Sequence, residues 1–330
     1  MVEANPLKDS FGRKIEYLRL SVTDRCDLRC FYCIPKGFKD FSTPSHWLTF
    51  DEIERIIAIF GQLGVSKLRL TGGEPLVRKN LPELVQRLGQ LEGIEDLSLS
   101  TNATQLGKYA ETLRANGVSR INVSLDTLNP ERFQHITGGN LSQVLQGLQA
   151  AKQAGFHPIK INMVIMKGVN DDEVAAMVDY CAANDFTLRF IETMPMGETG
   201  QDASQNYISL QDIKSQLAKQ YTLIPTVMGR GAGPARYFQI QGTNLKIGFI
   251  TPLSQHFCET CNRIRLSVEG TLYLCLGQDD KIELRDVLRQ GISDAELRQL
   301  ILQAIALKPE KHEFNQKPEQ VVRIMSMSGG

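Results

Sequence analysis

Six of the seven cysteines in this 330-residue chain fall into two groups of three. The first group, Cys26, Cys30 and Cys33, has the spacing C-x3-C-x2-C. Three thiolates in one loop can bind three irons of a 4Fe–4S cluster, and they leave the fourth iron open to a small molecule. A zinc ion with a distant fourth ligand, or buried cysteines without a metal, are the alternatives. The spacing favours a cluster, because structural zinc more often uses paired C-x2-C segments.

The second group of cysteines comprises Cys258, Cys261 and Cys275. From its C-x2-C-x13-C spacing alone, a zinc ribbon with His256 as the fourth ligand fits as well as a cluster. Arg263 and Arg265 follow at alternating positions, so on an extended segment both guanidinium groups point the same way. Such a pair suits a phosphate, because charge-assisted bidentate hydrogen bonds are strong. An exposed basic strand is the alternative.

The elements that position these residues repeat as strand–helix units with a period of about 30 residues. Serial units of this kind produce a parallel sheet, either open or curved into part of a barrel. The six predicted strands are Tyr17–Val22, Lys67–Leu70, Asp96–Ser100, Arg120–Leu125, Lys160–Met166 and Thr187–Glu192.

Polar residues alternate with apolar ones along these strands, for example Arg19 between Leu18 and Leu20. Parallel strands that are covered on both faces normally read as unbroken apolar runs. One polar face suits a lumen that holds a ligand, whereas polar residues only at strand ends would fit a flat sheet. We therefore predict the α/β class with a partial (β/α)6 barrel of the TIM type.

The strand–helix pattern ends near Met196. Beyond it we predict a polar loop over Gly197–Asn206, a short helix near Leu210–Lys219 and a β-rich segment around Tyr237–Leu274. The glycine-rich stretch Met228–Pro234 lacks the Gly-Lys-Ser/Thr ending of a phosphate loop, so a flexible connection is expected there.

Composition limits the possible partners. The chain is 42% hydrophobic, and its 37 basic and 37 acidic residues cancel. No overall field attracts it to nucleic acid or to a membrane surface, so an anionic ligand requires a local group of cations. Charged residues interrupt the first twenty positions, and no apolar run is long enough for a membrane span. We expect a cytoplasmic protein with free thiols.

The first cysteine group has Tyr32 directly before its last member, and Gly72-Gly73-Glu74-Pro75 follows the second predicted strand. With these two motifs the chain resembles the radical S-adenosylmethionine enzymes. The resemblance implies that S-adenosylmethionine chelates the open iron and is cleaved reductively to a 5′-deoxyadenosyl radical. The cofactor contacts it implies are Tyr32, Gly73, Ser124 and Met194.

A resemblance to a more specific family covers essentially the whole chain. It rests on Arg69–Pro75, Ile121–Asp126, Arg189–Glu192, the second cysteine group with its arginines, and Gly329-Gly330. In these features the chain is similar to the GTP 3′,8-cyclase family, which begins molybdenum-cofactor biosynthesis. The resemblance implies a second 4Fe–4S cluster at Cys258, Cys261 and Cys275, with an open iron for the purine ring of GTP. The residues implied to bind GTP are Arg19, Arg69, Ser100, Lys160, Arg263, Ile264 and Arg265, and Arg19, Arg263 and Arg265 are the candidate catalytic residues.

The implied reaction is that of a lyase. The ribose 3′ hydrogen of GTP is abstracted and the 3′ carbon radical attacks guanine C8. Reduction of the resulting aminyl radical gives (8S)-3′,8-cyclo-7,8-dihydroguanosine 5′-triphosphate. The family also implies an external one-electron donor, a downstream pterin-forming cyclase and a homodimer. Residues 1–196 would form the radical core, and residues 197–330 would close the barrel mouth.

Two details of the chain bear on this resemblance. The terminal Gly329-Gly330 is expected to reach into the active site, although by composition a frayed tail would be the default. Ser100-Thr101-Asn102-Ala103 stands where the family more often has Thr-Thr-Asn-Gly. Ala103 is less free than glycine, so the geometry of this loop is open.

Two other functions remain as alternatives. A radical enzyme with an auxiliary cluster that modifies a peptide would keep the chemistry and change the substrate, but the set of cations argues against it. A zinc-binding module without catalysis would use both cysteine groups structurally. Cys181, on a predicted helix, is expected to be a buried small hydrophobic residue.

Overall fold

The structure is a computed structural model that describes residues 7–228 and 233–329. Most of the connection predicted between Met228 and Pro234 lies outside the described residues, and so does Gly330.

The described residues form one sheet of twelve strands. The strands are β1 Tyr17–Ser21, β2 Lys67–Thr71, β3 Asp96–Thr101, β4 Arg120–Ser124, β5 Ile159–Ile165, β6 Thr187–Glu192, β7 Leu223–Thr226, β8 Arg236–Ile240, β9 Lys246–Ile250, β10 Arg263–Leu266, β11 Thr271–Tyr273 and β12 Lys281–Glu283. The first six are parallel and lie side by side in chain order. They confirm the six predicted strands, whose ends differ from the observed ones by at most one residue.

Helices connect these strands. They are α1 Phe50–Gln62, α2 Leu81–Gly89, α3 Leu106–Ala115, α4 Pro130–Thr137, α5 Leu141–Gln153, α6 Val174–Asn184, α7 Gly197–Ala203, α8 Leu210–Ala218, α9 Arg285–Arg289, α10 Asp294–Ala306 and α11 Met325–Ser328. Helix α1 begins with a capping box, in which Thr49 and Glu52 each accept a hydrogen bond from the other's backbone N–H.

The strands confirm the predicted alternation of polar residues on one face with apolar residues on the other. Leu18 and Leu20 are fully buried in the core cluster, and Arg19 between them lines a central cavity. The register places Arg19 beside Arg69 in β2, and Asn122 beside Lys160. Because neighbouring residues in register point to the same face, the polar residues of the six strands form one inner wall.

The strands of the C-terminal region extend this same sheet at both edges. Strand β9 pairs in parallel with β6, and β10 pairs in parallel with β1. The order across the sheet is β12-β11-β10-β1-β2-β3-β4-β5-β6-β9-β8-β7, which is not closed into a ring. The partial barrel is therefore confirmed, and no break in the sheet marks the predicted boundary at residue 196 within the described residues.

Two helices differ from the sequence expectation. The polar stretch after Met196 is helical over Gly197–Ala203 rather than a loop, and Gly197 N–H donates to the carbonyl of Val321 at 2.9 Å. Packing against the end of the chain therefore stabilises a helix that local propensity does not favour. Helix α10 was not predicted, although Ser293 and Glu296 form a capping box that the sequence displays.

Candidate active site

The first cysteine group lies in the loop that follows β1, at one end of the cavity. All three thiols line that cavity. Cys26 Sγ accepts from the Leu28 backbone N–H at 3.4 Å, and the Ser326 backbone N–H donates to the Cys33 thiol. Burial, together with Glu74 at Cys26 and Asp126 at Cys33, raises the pKa of both thiols to about 12. Iron must therefore displace protons from these thiols, because the thiolate is the metal ligand.

The turn after β2 packs directly on the cysteine loop. A Cβ on Gly72 would lie 2.3 Å from the carbonyl oxygen of Thr23, and a Cβ on Gly73 would lie 2.3 Å from that of Arg25. The two glycines are thus required by contact between two backbone segments. Glu74 accepts from Thr101 Oγ1 at 2.7 Å and from the Asn102 N–H at 2.6 Å, so its carboxylate joins this turn to the end of β3.

The residues predicted to contact S-adenosylmethionine lie around this loop. Tyr32 donates its phenolic hydrogen to Asp126 Oδ2 at 2.6 Å, and the other oxygen of Asp126 accepts from the Val164 N–H at 2.8 Å. Burial raises the pKa of Asp126 to about 6. Tyr32, Gly73, Ser124 and Met194 all line the cavity. The structure brings these four residues to the same end as the first cysteine group.

The second cysteine group lies at the same cavity, next to β10. Its thiols accept from the backbone N–H groups of His312, Arg263 and Gly277. Burial raises the pKa of Cys261, but the charges of Lys308 and Arg263 outweigh burial and hold it below the ordinary value. His256 lies 3.3 Å from Glu259 and is half exposed, and it is not among the residues that line the cavity.

No three His, Cys, Asp or Glu side chains in residues 7–228 and 233–329 are placed to share a single metal ion. A cubane cluster does not need such convergence, because each thiolate binds a different iron atom. The donor set of three cysteines per group therefore fits the type of centre that the sequence predicts.

Buried cations line the wall between the two cysteine groups. Arg69 is 4% exposed and Lys160 is 2% exposed, and the lining also includes Arg19, Arg263 and Arg265. Arg69 Nη1 donates to Ser100 Oγ at 3.4 Å. Ile264 lies between the two arginines of β10, is 1% exposed and also borders the cavity. All seven residues predicted to bind GTP are thus brought to one cavity.

These cations are destabilised by burial and by one another. Burial, together with the charges of Arg189 and Arg120, lowers the pKa of Lys160 to about 7. Burial likewise lowers the pKa of Arg19 to about 10. Within the described residues, the buried Nε atom of Arg19 has no hydrogen-bond partner. A polyanion in the cavity would relieve both penalties.

Several lining residues were not predicted as site residues. Arg120 on β4 and Arg189 on β6 also line the cavity. The alternation of polar and apolar residues that predicts Arg19 on the inner face predicts the same for these two arginines. Tyr17 accepts a hydrogen bond from Arg69 Nε. Burial raises the pKa of Tyr17, but Arg69 and Arg19 outweigh burial and lower it to about 8. Lys308 follows α10, and no pattern in the sequence marked it.

The end of the chain reaches the cavity wall. Arg265 Nη1 donates to the carbonyl of Gly329 and, at 3.3 Å, to that of Ser328. Gly329 has φ +76°, and a Cβ there would lie 2.3 Å from Thr71 Cγ2. The tail is therefore packed rather than frayed as far as Gly329.

Ala103 shows the geometry that the sequence left open. Its φ is +66°, the left-handed region that glycine adopts without strain, and its side chain is fully buried. The loop thus keeps a glycine-like backbone although alanine occupies the position.

Sequence comparisons agree with this fold and donor set. The model of the radical SAM superfamily matches residues 20–181, and that of the Molybdenum Cofactor Synthesis C family matches residues 186–314. A solved structure of Streptococcus suis SuiB bound to S-adenosylmethionine has a TM-score of 0.62 and 17% identity, covering 86% of this chain and 68% of that one. The fold and the first cysteine group define a radical S-adenosylmethionine enzyme, a class that binds a 4Fe–4S cluster and S-adenosylmethionine.

The similarity to curated proteins is more specific. The GTP 3′,8-cyclase of Hydrogenovibrio crunogenus is 49% identical over 329 residues, covering 98% of this chain and 99% of that protein. The GTP 3′,8-cyclase of Paracoccus denitrificans is 48% identical, with 98% and 96% covered. The chain belongs to the GTP 3′,8-cyclase family of molybdenum-cofactor biosynthesis. Among its described helices, none combines the length and apolar character that crossing a membrane demands.

Proposed function

We propose that the protein converts GTP to (8S)-3′,8-cyclo-7,8-dihydroguanosine 5′-triphosphate, the first step of molybdenum-cofactor biosynthesis. The observation that best supports this function is a single cavity that is lined by both cysteine groups and by buried cations between them. GTP carries several negative charges on its triphosphate, so it matches a wall that is rich in cations although the whole chain is neutral. Family membership supports the same substrate.

Cys26, Cys30 and Cys33 would hold the first cluster, and Cys258, Cys261 and Cys275 would hold the second. The first cluster would supply the one electron that cleaves bound S-adenosylmethionine to methionine and the 5′-deoxyadenosyl radical, which is the species needed to remove the ribose 3′ hydrogen. Tyr32, Gly73, Ser124 and Met194 would position S-adenosylmethionine at that end of the cavity. The second group would orient the purine at the opposite end.

The cations would hold the nucleotide between the two ends. Arg69 and Lys160 are buried on the parallel strands, and Ser100 accepts a hydrogen bond from Arg69. In this arrangement the two cations would face the triphosphate. Arg263 and Arg265 lie on β10 beside the second cysteine group, close to where the purine would bind. Their charge, with that of Arg19, would stabilise electron density that develops during cyclisation.

Residues 197–330 would close the mouth of the barrel in this function. The contacts that support this closure are those of the Ser326 N–H with the Cys33 thiol and of Gly329 with the Thr71 side chain. Excluding water protects a radical from side reactions. An external one-electron donor, a downstream pterin-forming cyclase, a homodimeric state and a cytoplasmic location complete the proposal on the family expectation.

One experiment tests the function. Protein reconstituted anaerobically with iron and sulfide is incubated with reductant, S-adenosylmethionine and GTP, and the products are analysed by mass spectrometry. We expect 5′-deoxyadenosine together with a cyclised nucleotide, both dependent on GTP. Turnover that ignores GTP would favour a peptide substrate, and zinc without iron or sulfide in the purified protein would favour a structural module.

A further inference from the structure

Lys308 is a buried lysine beside the second cysteine group, and the proposed function leaves it without a role. It is 2% exposed and lines the same cavity as the thiols. Its Nζ donates to the carbonyl oxygen of Leu274 at 2.5 Å, and Leu274 directly precedes Cys275. The backbone contact therefore fixes the ammonium next to this cysteine.

The positive charge of Lys308 is not balanced by a carboxylate. No acidic side chain in residues 7–228 and 233–329 forms an ion pair with it, whereas Arg323, which donates to the carbonyl of Cys275, pairs with Asp279 at 3.1 Å. Burying an ammonium without a counter-charge is costly. The negative charge that balances the Lys308 ammonium must therefore come from the thiolates or from the group that they bind.

The charge of Lys308 acts on the sulfur atoms of both Cys261 and Cys275. The first cysteine group has the opposite surroundings, since the nearby charged groups are the carboxyls of Glu74 and Asp126. At the second group Glu259 acts on Cys258, whereas the charges that act on Cys261 and Cys275 are the cations Lys308, Arg263 and Arg323.

We propose that Lys308 is the fixed counter-charge of the iron–sulfur centre at Cys258, Cys261 and Cys275, and that it raises the reduction potential of this centre. Reduction adds one negative charge to a cluster, and a buried cation nearby favours the reduced form. Lys308 acts through the cluster and is not a catalytic residue. The inference rests on the second cluster of the proposed function.

The test uses the full chain in which Cys26, Cys30 and Cys33 are replaced by alanine, so that iron and sulfide load only the second group. The midpoint potential is measured by anaerobic titration with dithionite, followed by electron paramagnetic resonance. We expect Lys308→Met in this background to make reduction at least tenfold less favourable, a shift of about 59 mV to more negative potential for one electron. Lys308→Arg keeps the charge and stays near the parent value.

Lys311→Met is the matched control, because Lys311 lies on the same segment but is exposed to solvent, where its charge is screened. Its midpoint potential is expected to equal that of the parent. A fully loaded Lys308→Met protein with an unchanged midpoint would overturn the proposal and leave the proposed function intact.

If Lys308→Met fails to fold or to load iron, the unsubstituted protein decides. Its two clusters are titrated together, and the second must have the more positive midpoint potential. Equal potentials, or a more negative second cluster, overturn the inference. Absence of iron from the parent triple variant would overturn the second cluster itself and this inference with it.

Discussion

The two cysteine groups use the same ligands and open into the same cavity, yet their surroundings have opposite charge. Glu74 and Asp126 are the charged neighbours of the first group. Lys308 and Arg263 are the charged neighbours of Cys261 in the second group, and Glu259 is a charged neighbour of Cys258. Burial raises the pKa of Cys33 to about 12, and it also raises the pKa of Cys258 and Cys275, but cations hold the pKa of Cys261 below its ordinary value. Three cysteines select the kind of centre, and the surrounding residues set its properties.

This difference fits two separate tasks. Carboxyl groups disfavour the addition of an electron nearby, which suits a centre that must reduce a sulfonium. Cations favour an anionic ligand, which suits a centre beside a nucleotide. We therefore expect substitutions in the two regions to separate cofactor cleavage from cyclisation.

Removing one group at a time should have the largest effect. Replacing Cys26, Cys30 and Cys33 by alanine is expected to abolish both 5′-deoxyadenosine and the cyclised nucleotide. Replacing Cys258, Cys261 and Cys275 is expected to abolish only the cyclised nucleotide, because cofactor cleavage needs the first group. Both products are measured by liquid chromatography and mass spectrometry. Loss of 5′-deoxyadenosine in the second variant would contradict the division of tasks.

Gly73→Ala should damage the first group alone. Its Cβ would lie 2.3 Å from the carbonyl oxygen of Arg25, so the cysteine loop must shift. We expect the iron content after reconstitution to fall from about eight atoms per chain to about four. Gly107→Ala, where a Cβ has open space, is the control and should keep its iron. Full iron loading of Gly73→Ala would show that the loop tolerates the shift.

Replacing both Arg263 and Arg265 by lysine should affect the second region. Lysine keeps the charge but loses the planar fork that binds oxygen atoms in pairs. We expect cyclisation to fall by about 10–100-fold, the size of a lost charge-assisted hydrogen bond. Formation of 5′-deoxyadenosine should fall less. Equal loss of the two products would refute a specific role in cyclisation.

The cationic wall should make GTP binding dependent on pH. The pKa of Lys160 is about 7, so this residue loses its charge as the pH rises from 7 to 9. GTP binds the charged form, and its affinity should therefore fall with rising pH, by at most about tenfold per pH unit for one proton. Tyr17, with a pKa of about 8, acts in the same direction because it gains a negative charge.

Binding is measured by isothermal titration calorimetry between these pH values. Lys160→Met should have a shallower dependence, and the double variant with Tyr17→Phe should be nearly flat. An unchanged slope in the double variant would assign the dependence to other groups.

Ala103→Gly should have the smallest effect, in the loop beside the first group. Alanine in the left-handed region costs about 1–2 kcal/mol, and the flexibility of glycine in the unfolded chain offsets part of the gain. We expect the free energy of unfolding in urea to rise by about 0.5–1 kcal/mol. The exposed helical residue Ala182 is the control, since Ala182→Gly should lower it by about 1 kcal/mol. A decrease in the free energy of unfolding for Ala103→Gly would contradict backbone strain at this position.

Much of the site was predictable because strands and motifs carry local signals. Polar and apolar residues alternate with a period of two, which identified the inner face and with it Arg19, Arg69 and Lys160. The resemblance implied only a cofactor contact for Gly73, but Gly72 and Gly73 are also required by their contacts with the backbone of the cysteine loop. The reason lies in the packing of two loops, which no single segment of sequence reveals.

The six parallel strands, the polar inner face and the two sets of three thiols could be predicted from local sequence, because each depends on neighbours along one strand or loop. The folded structure was needed to show that β10 lies against β1, that Gly197–Ala203 is helical and that Lys308 is buried beside Cys275. These features depend on contacts between residues that are far apart in the chain. Their energies come from burial and charge in the folded protein, and local patterns do not encode them.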